Sequence, residues 1–228
     1  MIQGASMREA LSPPPWLLHD DSAQYRIFVA ATTLHRVRAY RLAAELYRQA
    51  GLAHPDSVAL AVHPYDAWPQ TLALLAEDEA GRDAATMTLV CDGQQGLPAD
   101  AVFGDELRGL RRQGRRLAEG VRLAIRPEHL FSEHLFRGML ALLYLYGTRV
   151  RAATDLIVEI NPRHVAYYRR LFGFQLLGPE RPCPRVQGAP ARLLVLTSPA
   201  PEASAHPAHS PGPITQSVPW ACPFVRPR

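Results

Sequence analysis

Residues 154–174 read TDLIVEINPRHVAYYRRLFGF, and this stretch decides the fold. Its apolar run 156–160 contains β-branched residues and is typical of a buried strand. Asn161 suits the N-cap of a helix, Pro162 its first position and Gly173 its C-cap. A second apolar run, 174–178, follows at once. The order strand, helix, strand predicts one βαβ-like crossover in an open α/β sheet.

The pattern continues on both sides of this stretch. Residues 71–78 and 85–92 form a predicted hairpin around the turn 79–83, and a long connection, 52–68, precedes it. One domain over 23–198 is therefore expected, between a loose arm at 1–22 and a Pro-rich, disordered tail at 199–228. The other predicted elements are strands at 25–31, 117–125 and 191–198 and helices at 34–51, 100–110 and 130–152.

Composition excludes several classes of protein. The chain has 228 residues, 47% of them hydrophobic, and all 25 of its Lys and Arg residues are arginine, so no lysine can form a Schiff base or serve a P-loop. No signal-peptide pattern opens it, and its longest apolar run, 139–146, is too short to span a bilayer. The cysteines Cys91, Cys183 and Cys222 are isolated, which argues against disulfides or zinc and indicates the cytoplasm.

Two sets of motifs resemble known families. Asn161-Pro162, a tyrosine in the middle of the helix and Gly173 resemble the C-terminal part of the GNAT acyltransferase fold, a mixed α/β sheet flanked by helices. The strand 86–90, the segment 96–100 (GLPAD) and the strand 117–124 (LAEGVRLA) are more specific. They look like the N-acyl amino acid synthase family (FeeM-like), related to the autoinducer synthases, over about residues 25–198.

This resemblance implies an N-acyltransferase. Its reaction would move a long-chain acyl group from the phosphopantetheine thioester of acyl carrier protein to the amine of an amino acid. Acyl carrier protein and the amino acid are the implied partners, and no permanently bound cofactor is implied. We expect no metal, because His129 and His134 do not share a helical face, and no nucleic acid, because no recognition motif is present.

The loop 125–132, IRPEHLFS, bears on the acyl donor. GNAT enzymes that use acetyl-CoA carry a glycine-rich loop here, whose backbone N–H groups hold the pyrophosphate. This loop has no glycine and contains Glu128, which favours a carrier-protein donor. Two alternatives stay open: an acetyl-CoA-dependent N-acetyltransferase, and a catalytically silent GNAT-like module that binds a partner.

The resemblance also assigns catalytic roles. Glu119 and Arg122 match a functional Glu-x-x-Arg pattern of the autoinducer synthases, with Glu119 as proton acceptor and Arg122 as a structural or carboxylate partner. In a regular strand they would face opposite sides, so we expect a bulge at Gly120. Backbone N–H groups around Leu123 and Ala124 would hold the oxyanion. The alternative is a buried ion pair of Glu119 with Arg122.

Further residues are carried over from the resemblance. Arg38 is a candidate for binding the acceptor carboxylate. Tyr168 lies near the general-acid tyrosine of GNAT enzymes, but it is five residues before Gly173 rather than four, which favours a core residue. The arginines before the central strand are candidates for docking the acidic carrier protein, or else a solvated loop. The remaining substrate-binding candidates are Asp66, Thr88, Asp100 and Asn161, and the docking candidates are Arg111, Arg112, Arg115 and Arg116.

Overall fold

A mixed β-sheet forms the centre of the computed structural model, which describes residues 24–54 and 60–198. Seven strands follow the order β1-β2-β3-β4-β5-β8-β6, and β7 pairs with β8. Pairing is antiparallel between neighbours except for β4 and β5, which are parallel. The strands are β1 Tyr25–Val29, β2 Thr71–Asp78, β3 Asp83–Cys91, β4 Leu117–Ile125, β5 Asp155–Ile160, β6 Gln175–Leu176, β7 Arg181–Cys183 and β8 Ala189–Thr197.

Helices cover both faces of the sheet, and local signals define their ends. The side chain of Thr32 accepts the His35 N–H at the start of the first helix, and that of Ser132 accepts the Leu135 N–H at the start of the third. Gly173 ends the fourth in the left-handed region, at φ 77°. The helices are α1 Thr33–Gln49, α2 Asp100–Arg112, α3 Glu133–Leu145 and α4 Val165–Phe172.

The core has one layer on each face of the sheet. On one face, α3 and α4 bury residues such as Phe136 and Phe172 against Met87 and Val158. On the other face, α1 and α2 form two smaller clusters around Leu42 and Phe103. Within the described ranges, no helix is both long and apolar enough to cross a membrane.

The sheet opens between β4 and β5. Their pairing stops at Gly120 and Val158, whereas β5 continues to pair with β8 as far as Ile160. On the other edge of β4, Arg122 and Leu123 together oppose one residue of β3, which is a β-bulge. Arg122 has a φ of 53° there, in the left-handed region that a non-glycine residue rarely adopts.

The structure corrects some sequence-based expectations. The crossover β5-α4-β6 does not join adjacent strands, because β8 lies between β5 and β6. Strand β6 covers two residues rather than five, and the short β7 was not expected. Helix α3 ends at Leu145 in a π-helical turn, Tyr146–Val150, rather than continuing to 152. The predicted arm, 1–22, and tail, 199–228, lie outside the described residues.

Candidate active site

A cavity of about 280 Å³ lies where β4 and β5 separate. Because Ala44 and Tyr47 of α1 line it, the cavity is on the side of the sheet that α1 and α2 cover. Its apolar wall includes Leu52, Val121 and Val186. Its polar side chains come from four separate parts of the chain and include His63, Glu119, Arg122, Glu159, Cys183 and Arg185.

Glu119 projects from β4 toward this cavity and is completely buried. One carboxylate oxygen, Oε2, accepts the Ala99 N–H at 2.8 Å, just before α2 begins. The other, Oε1, has no hydrogen-bond partner among the residues that the structure describes. Burial raises the pKa of Glu119 to about 8, because desolvation disfavours the charged carboxylate. Glu119 can therefore exchange a proton near neutral pH.

Arg122 anchors the connection before β2 onto the bulge. Its guanidinium forms an ion pair with Asp66, with Nη1 3.0 Å from Oδ2, and the two side chains are 2% and 5% exposed. The same group lies over the rings of Tyr40 and Tyr65, at 4.5 and 5.3 Å from their centres. Its Nε atom is buried and has no partner in the described part of the chain. Arg122 is thus a buried cation whose Nε–H donor has no hydrogen bond to the described residues.

The expected bulge in β4 is present, but it lies at Arg122 rather than at Gly120. The bulge brings the side chains of Glu119 and Arg122 to the same cavity, despite their odd spacing. The alternative of a Glu119–Arg122 ion pair is wrong, because Arg122 pairs with Asp66 instead.

A second buried carboxylate lies across the opening, on β5. Glu159 is 7% exposed and lines the cavity. Arg185, from the turn after β7, places Nη2 at 2.5 Å from Glu159 Oε2 and at 3.9 Å from Glu119 Oε1. The neighbouring thiol of Cys183 is protonated, since burial raises its pKa to about 12. Arg185 is therefore the shared counter-ion of the Glu159 and Glu119 carboxylates.

The two residues predicted to supply oxyanion donors, Leu123 and Ala124, lie at the bulge. The Arg126 N–H bonds to the Ala84 carbonyl of β3, at 2.9 Å. Ala124 pairs with Thr86 of β3, and Leu123 lies within the bulge, where the regular alternation of amide directions is interrupted. The hydroxyl of Tyr47 donates to the Leu123 carbonyl at 3.3 Å. The role of Leu123 and Ala124 as oxyanion donors stays a prediction.

His63 closes one side of the cavity. Its ring stacks on that of Tyr65, with centres 5.0 Å apart and an angle of 11° between the planes. Burial, and next the charge of Arg122, lower the pKa of His63. The imidazole is consequently neutral at pH 7 and adds no charge to the site.

Sequence reasoning missed Glu159, Arg185, Tyr47 and His63. One signal was available for Glu159, because an acid interrupts the apolar run 156–160 of a buried strand. The other three lie in segments without a motif. They reach the cavity only through tertiary structure.

Arg38 and Asp66 differ in their distance from the site: Arg38 lies away from the cavity, whereas Asp66 lies beside it. The guanidinium of Arg38 bonds to Glu77 at 2.6 Å and to Asp83 at 3.1 Å, and its binding of the acceptor carboxylate stays a prediction. Arg38 does not line the cavity. Asp66 does belong to the site region, beneath the cavity as the counter-ion of Arg122.

Tyr168 lies in the core between α3, α4 and the sheet. It is 4% exposed, and its ring centre is 5.6 Å from that of Phe136 and 5.5 Å from that of Phe174. This cluster covers the face of the sheet opposite α1. The structure thus agrees with the core interpretation of Tyr168 rather than with a general acid in the cavity.

Three more candidates lie outside the cavity lining. The side chain of Asp100 accepts the Leu97 N–H at 2.7 Å, at the start of α2. That of Asn161 accepts the Arg163 N–H at 3.2 Å, at the turn before α4. Thr88 is completely buried in β3, and its Oγ1 has no partner within the described ranges. Asn161 acts as a cap and Asp100 pairs with Arg111, and substrate binding by these three residues stays a prediction.

The docking arginines lie at the end of α2 and the start of β4. Two of them bond to acids of the chain itself: Arg111 Nε lies 2.6 Å from Asp92 Oδ2, and Arg115 Nε lies 2.6 Å from Asp155 Oδ2. Their charges are therefore largely compensated within the domain.

The other two docking arginines, Arg112 and Arg116, are exposed. Arg116 bonds to the carbonyl of Ala152, whereas Arg112 projects from the last turn of α2. The start of β4 lies about 17 Å along the strand from the bulge, at about 3.3 Å per residue. Docking of a carrier protein at these residues stays a prediction.

Comparisons with known proteins agree on one family. The family model for the N-acyl amino acid synthase FeeM matches residues 38–197. The structure of FeeM from uncultured soil microbes is 26% identical over 78% of this chain and 93% of that chain, with a TM-score of 0.66. No curated protein matches the sequence.

Two autoinducer synthases share the fold. LasI, an AHL synthase, is 14% identical over 75% of this chain and 89% of that chain, with a TM-score of 0.54. BjaI, a CoA-dependent acyl-homoserine lactone synthase, is 13% identical over 76% and 82%, with a TM-score of 0.51. The predicted GNAT-like fold, a mixed sheet flanked by helices, is confirmed.

Proposed function

This chain belongs to the FeeM family of N-acyl amino acid synthases and is an acyltransferase, and on that premise we propose that it transfers a long-chain acyl group from acyl carrier protein to an amino acid. Because this is a family of enzymes, the alternative of a catalytically silent module that binds a partner is not pursued. The cavity at the opening of the sheet is the proposed acceptor site.

One observation carries the choice of an amino acid as acceptor. Within the described residues, the cavity has a buried acceptor atom without a partner, Glu119 Oε1, and a buried donor without a partner, Arg122 Nε. Buried polar atoms in native proteins nearly always have hydrogen-bond partners. The ammonium and carboxylate of an amino acid supply one partner of each kind.

The proposed reaction needs no covalent enzyme intermediate. Glu119, as carboxylate, takes a proton from the acceptor ammonium, and the neutral amine attacks the thioester carbonyl. Backbone N–H groups around Leu123 and Ala124 would donate to the oxyanion. As the C–S bond breaks, the departing sulfur takes the second proton from nitrogen, leaving an amide and a free thiol. Glu119 then releases its proton to solvent.

The first turn of α3 favours a donor without a nucleotide. The N-terminus of this helix is already capped by Ser132, and two acids, Glu128 and Glu133, lie beside it. An anionic pyrophosphate would be repelled by Glu128, while Glu133, paired with Arg137, already occupies the end of the helix dipole that attracts anions. The phosphopantetheine thioester of acyl carrier protein is thus the proposed co-substrate, with no permanently bound cofactor.

Acyl-CoA is the second candidate donor. The backbone at the opening between β4 and β5 can receive an extended pantetheine from either source, since both carry the same thioester arm. The fold is shared with BjaI, which is a CoA-dependent synthase, and this likeness supports the second candidate. We place the reaction in the cytoplasm, where free thiols such as those of Cys91 and Cys183 persist.

The test supplies both donors to the purified chain. Acyl carrier protein and CoA carrying the same long acyl chain are incubated separately with the twenty amino acids, and products are identified by mass spectrometry. We expect an N-acyl amino acid from the carrier-protein donor at a higher kcat/KM. An equal or higher kcat/KM with acyl-CoA would mean that acyl-CoA, rather than acyl carrier protein, is the donor. An absence of any N-acyl product would contradict the proposed function.

A further inference from the structure

Glu159 has no role in the reaction as described so far. It lies on β5, just beyond the last residue that pairs with β4, so its side chain reaches the opening of the sheet. Its Oε2 is bonded to Arg185, and its Oε1 is buried without a partner among the described residues. A carboxylate that is more than nine-tenths buried and half-satisfied is costly unless something else binds it.

The charges around Glu159 do not balance when both glutamates are ionised. Arg185 Nη2 contacts Glu159 closely and Glu119 at 3.9 Å, so a single guanidinium faces two carboxylates. The nearest other guanidinium in the cavity, that of Arg122, is already paired with Asp66. With both glutamates ionised, the buried site therefore lacks one positive charge.

The missing charge matches an ammonium in both sign and geometry. Glu119 Oε1 and Glu159 Oε1 are acceptors without partners in the described ranges, on the two strands that separate. An ammonium carries three donors and can bond to both oxygens at once. A hydroxyl or a neutral amine would leave the negative charge uncompensated.

We propose that Glu159 and Glu119 form a two-carboxylate clamp that binds the acceptor as its ammonium, with Arg185 as their shared counter-ion. This inference rests on the proposed function and extends it: Glu119 takes the proton, while Glu159 positions the nitrogen. The clamp selects acceptors that arrive as primary ammonium ions and excludes alcohols and acylated amines.

The kinetic test uses Glu159→Gln, which keeps the shape and removes the charge. We expect the acceptor KM to rise about 10- to 100-fold, as for loss of a charged hydrogen bond. The donor KM should stay within about threefold of the wild type, so that the loss of binding is confined to the acceptor. The matched control is Glu106→Gln, which breaks another glutamate–arginine pair, Glu106 with Arg181 at 2.6 Å, outside the cavity. An unchanged acceptor KM in Glu159→Gln would overturn the clamp.

Calorimetry tests the clamp without turnover. Each of the twenty amino acids is titrated into the wild type, and the tightest binder is compared with its des-amino analogue. We expect binding that requires the ammonium and weakens about 10- to 100-fold in Glu159→Gln. If that variant does not fold, Glu159→Gln combined with Arg185→Gln removes both charges and should show the same loss.

These outcomes separate the two claims. Binding that depends on Glu159, without transfer from either thioester, would contradict the proposed function and leave the clamp standing. Transfer with an unchanged acceptor KM in Glu159→Gln would support the proposed function and contradict the clamp. A wild type that binds no amino acid, or that binds the des-amino analogue equally well, would overturn the clamp.

Discussion

Glu119 is completely buried, and its counter-charge, Arg185, lies close by but outside hydrogen-bond range. Arg185 is 3.9 Å away, beyond hydrogen-bond range, so it only partly offsets the desolvation of the carboxylate. The resulting pKa of about 8 lies close to the pH at which a general base is most effective. A fully paired glutamate at this position would stay ionised and be a weaker base.

Replacing Glu119 by Gln tests its role as the base. Glutamine has the shape of the protonated acid and can still accept the Ala99 N–H, so the fold should persist. We expect kcat to fall about 10²- to 10⁴-fold, the usual contribution of general acid–base catalysis. Initial rates with acyl carrier protein as donor measure it. Glu79→Gln, in the exposed turn after β2, is the control, and a kcat equal to that of the wild type in Glu119→Gln would exclude the assignment.

The pKa of Glu119 predicts the pH dependence of the rate. Only the ionised form accepts a proton, and the raised pKa means that this form is scarce below about pH 8. Plotted as logarithms, kcat/KM should therefore rise with a slope of one up to about pH 8 and then level off. Stopped assays between pH 6 and 9 measure the profile. A profile that is flat from pH 6 upward would show that Glu119 is not the group that titrates.

Two of the polar side chains that line the cavity were predicted from the sequence. Glu119 and Arg122 were found through a motif, and a bulge was expected from their odd spacing. The location of the bulge was wrong because Gly120 seemed the natural place, whereas Arg122 itself adopts the left-handed conformation. Glu159 and Arg185 could not be paired from sequence, since they are 26 residues apart on a strand and a turn.

At the scale of elements, strand β4 organises the site. Its bulge turns Glu119 and Arg122 to one face, and the end of its pairing with β5 opens the sheet. Arg122 also holds the short helical turn Pro64–Ala67 through Asp66, whose carboxylate accepts the His63 N–H at 2.7 Å. The wall that contains His63 is thereby fixed to the bulge.

Breaking this anchor should destabilise the fold. Asp66→Asn leaves Arg122 buried without a counter-ion, which typically costs about 3–5 kcal/mol of unfolding free energy. Urea denaturation measures the change. Asp105→Asn is the control, because its pair with Arg108 is exposed on α2 and its loss should have no measurable effect. Equal stabilities of the two variants would mean that Arg122 does not depend on Asp66.

The local sequence predicted where the helices and strands lie better than it predicted which strands are neighbours in the sheet. Caps and periodicity located α1, α2 and α4, and apolar runs located β2 to β5. The insertion of β8 between β5 and β6 is a long-range pairing, which no local pattern specifies. Strand β7 contains a proline and was hidden in a Pro-rich segment, where strands are not expected.

At the scale of the whole molecule, most arginines are structural. The net charge is only +4, and Arg111, Arg115, Arg122 and Arg181 each pair with acids of the chain. The basic composition is therefore a poor guide to partners. Positive charge that remains available to an acidic carrier protein must come from exposed arginines such as Arg112.

Reversing one such charge tests the docking prediction. Arg112→Glu should raise KM for the carrier-protein donor roughly 3- to 10-fold, as a charge at the rim of an interface affects association. KM for acyl-pantetheine, which lacks the carrier protein, should not change. Steady-state kinetics with both donors measure it, and Arg41→Glu on the exposed side of α1 is the control. An unchanged KM for the carrier-protein donor would move the docking surface elsewhere.

The central claim is that this fold makes an N-acyl amino acid at the opening between β4 and β5. The most direct measurement is mass spectrometry of lipid extracts from cells that express either the wild-type chain or its Glu119→Gln variant. We predict a new N-acyl amino acid in the wild type and its loss in the variant. No such lipid in the wild type, or equal amounts from both chains, would contradict the account.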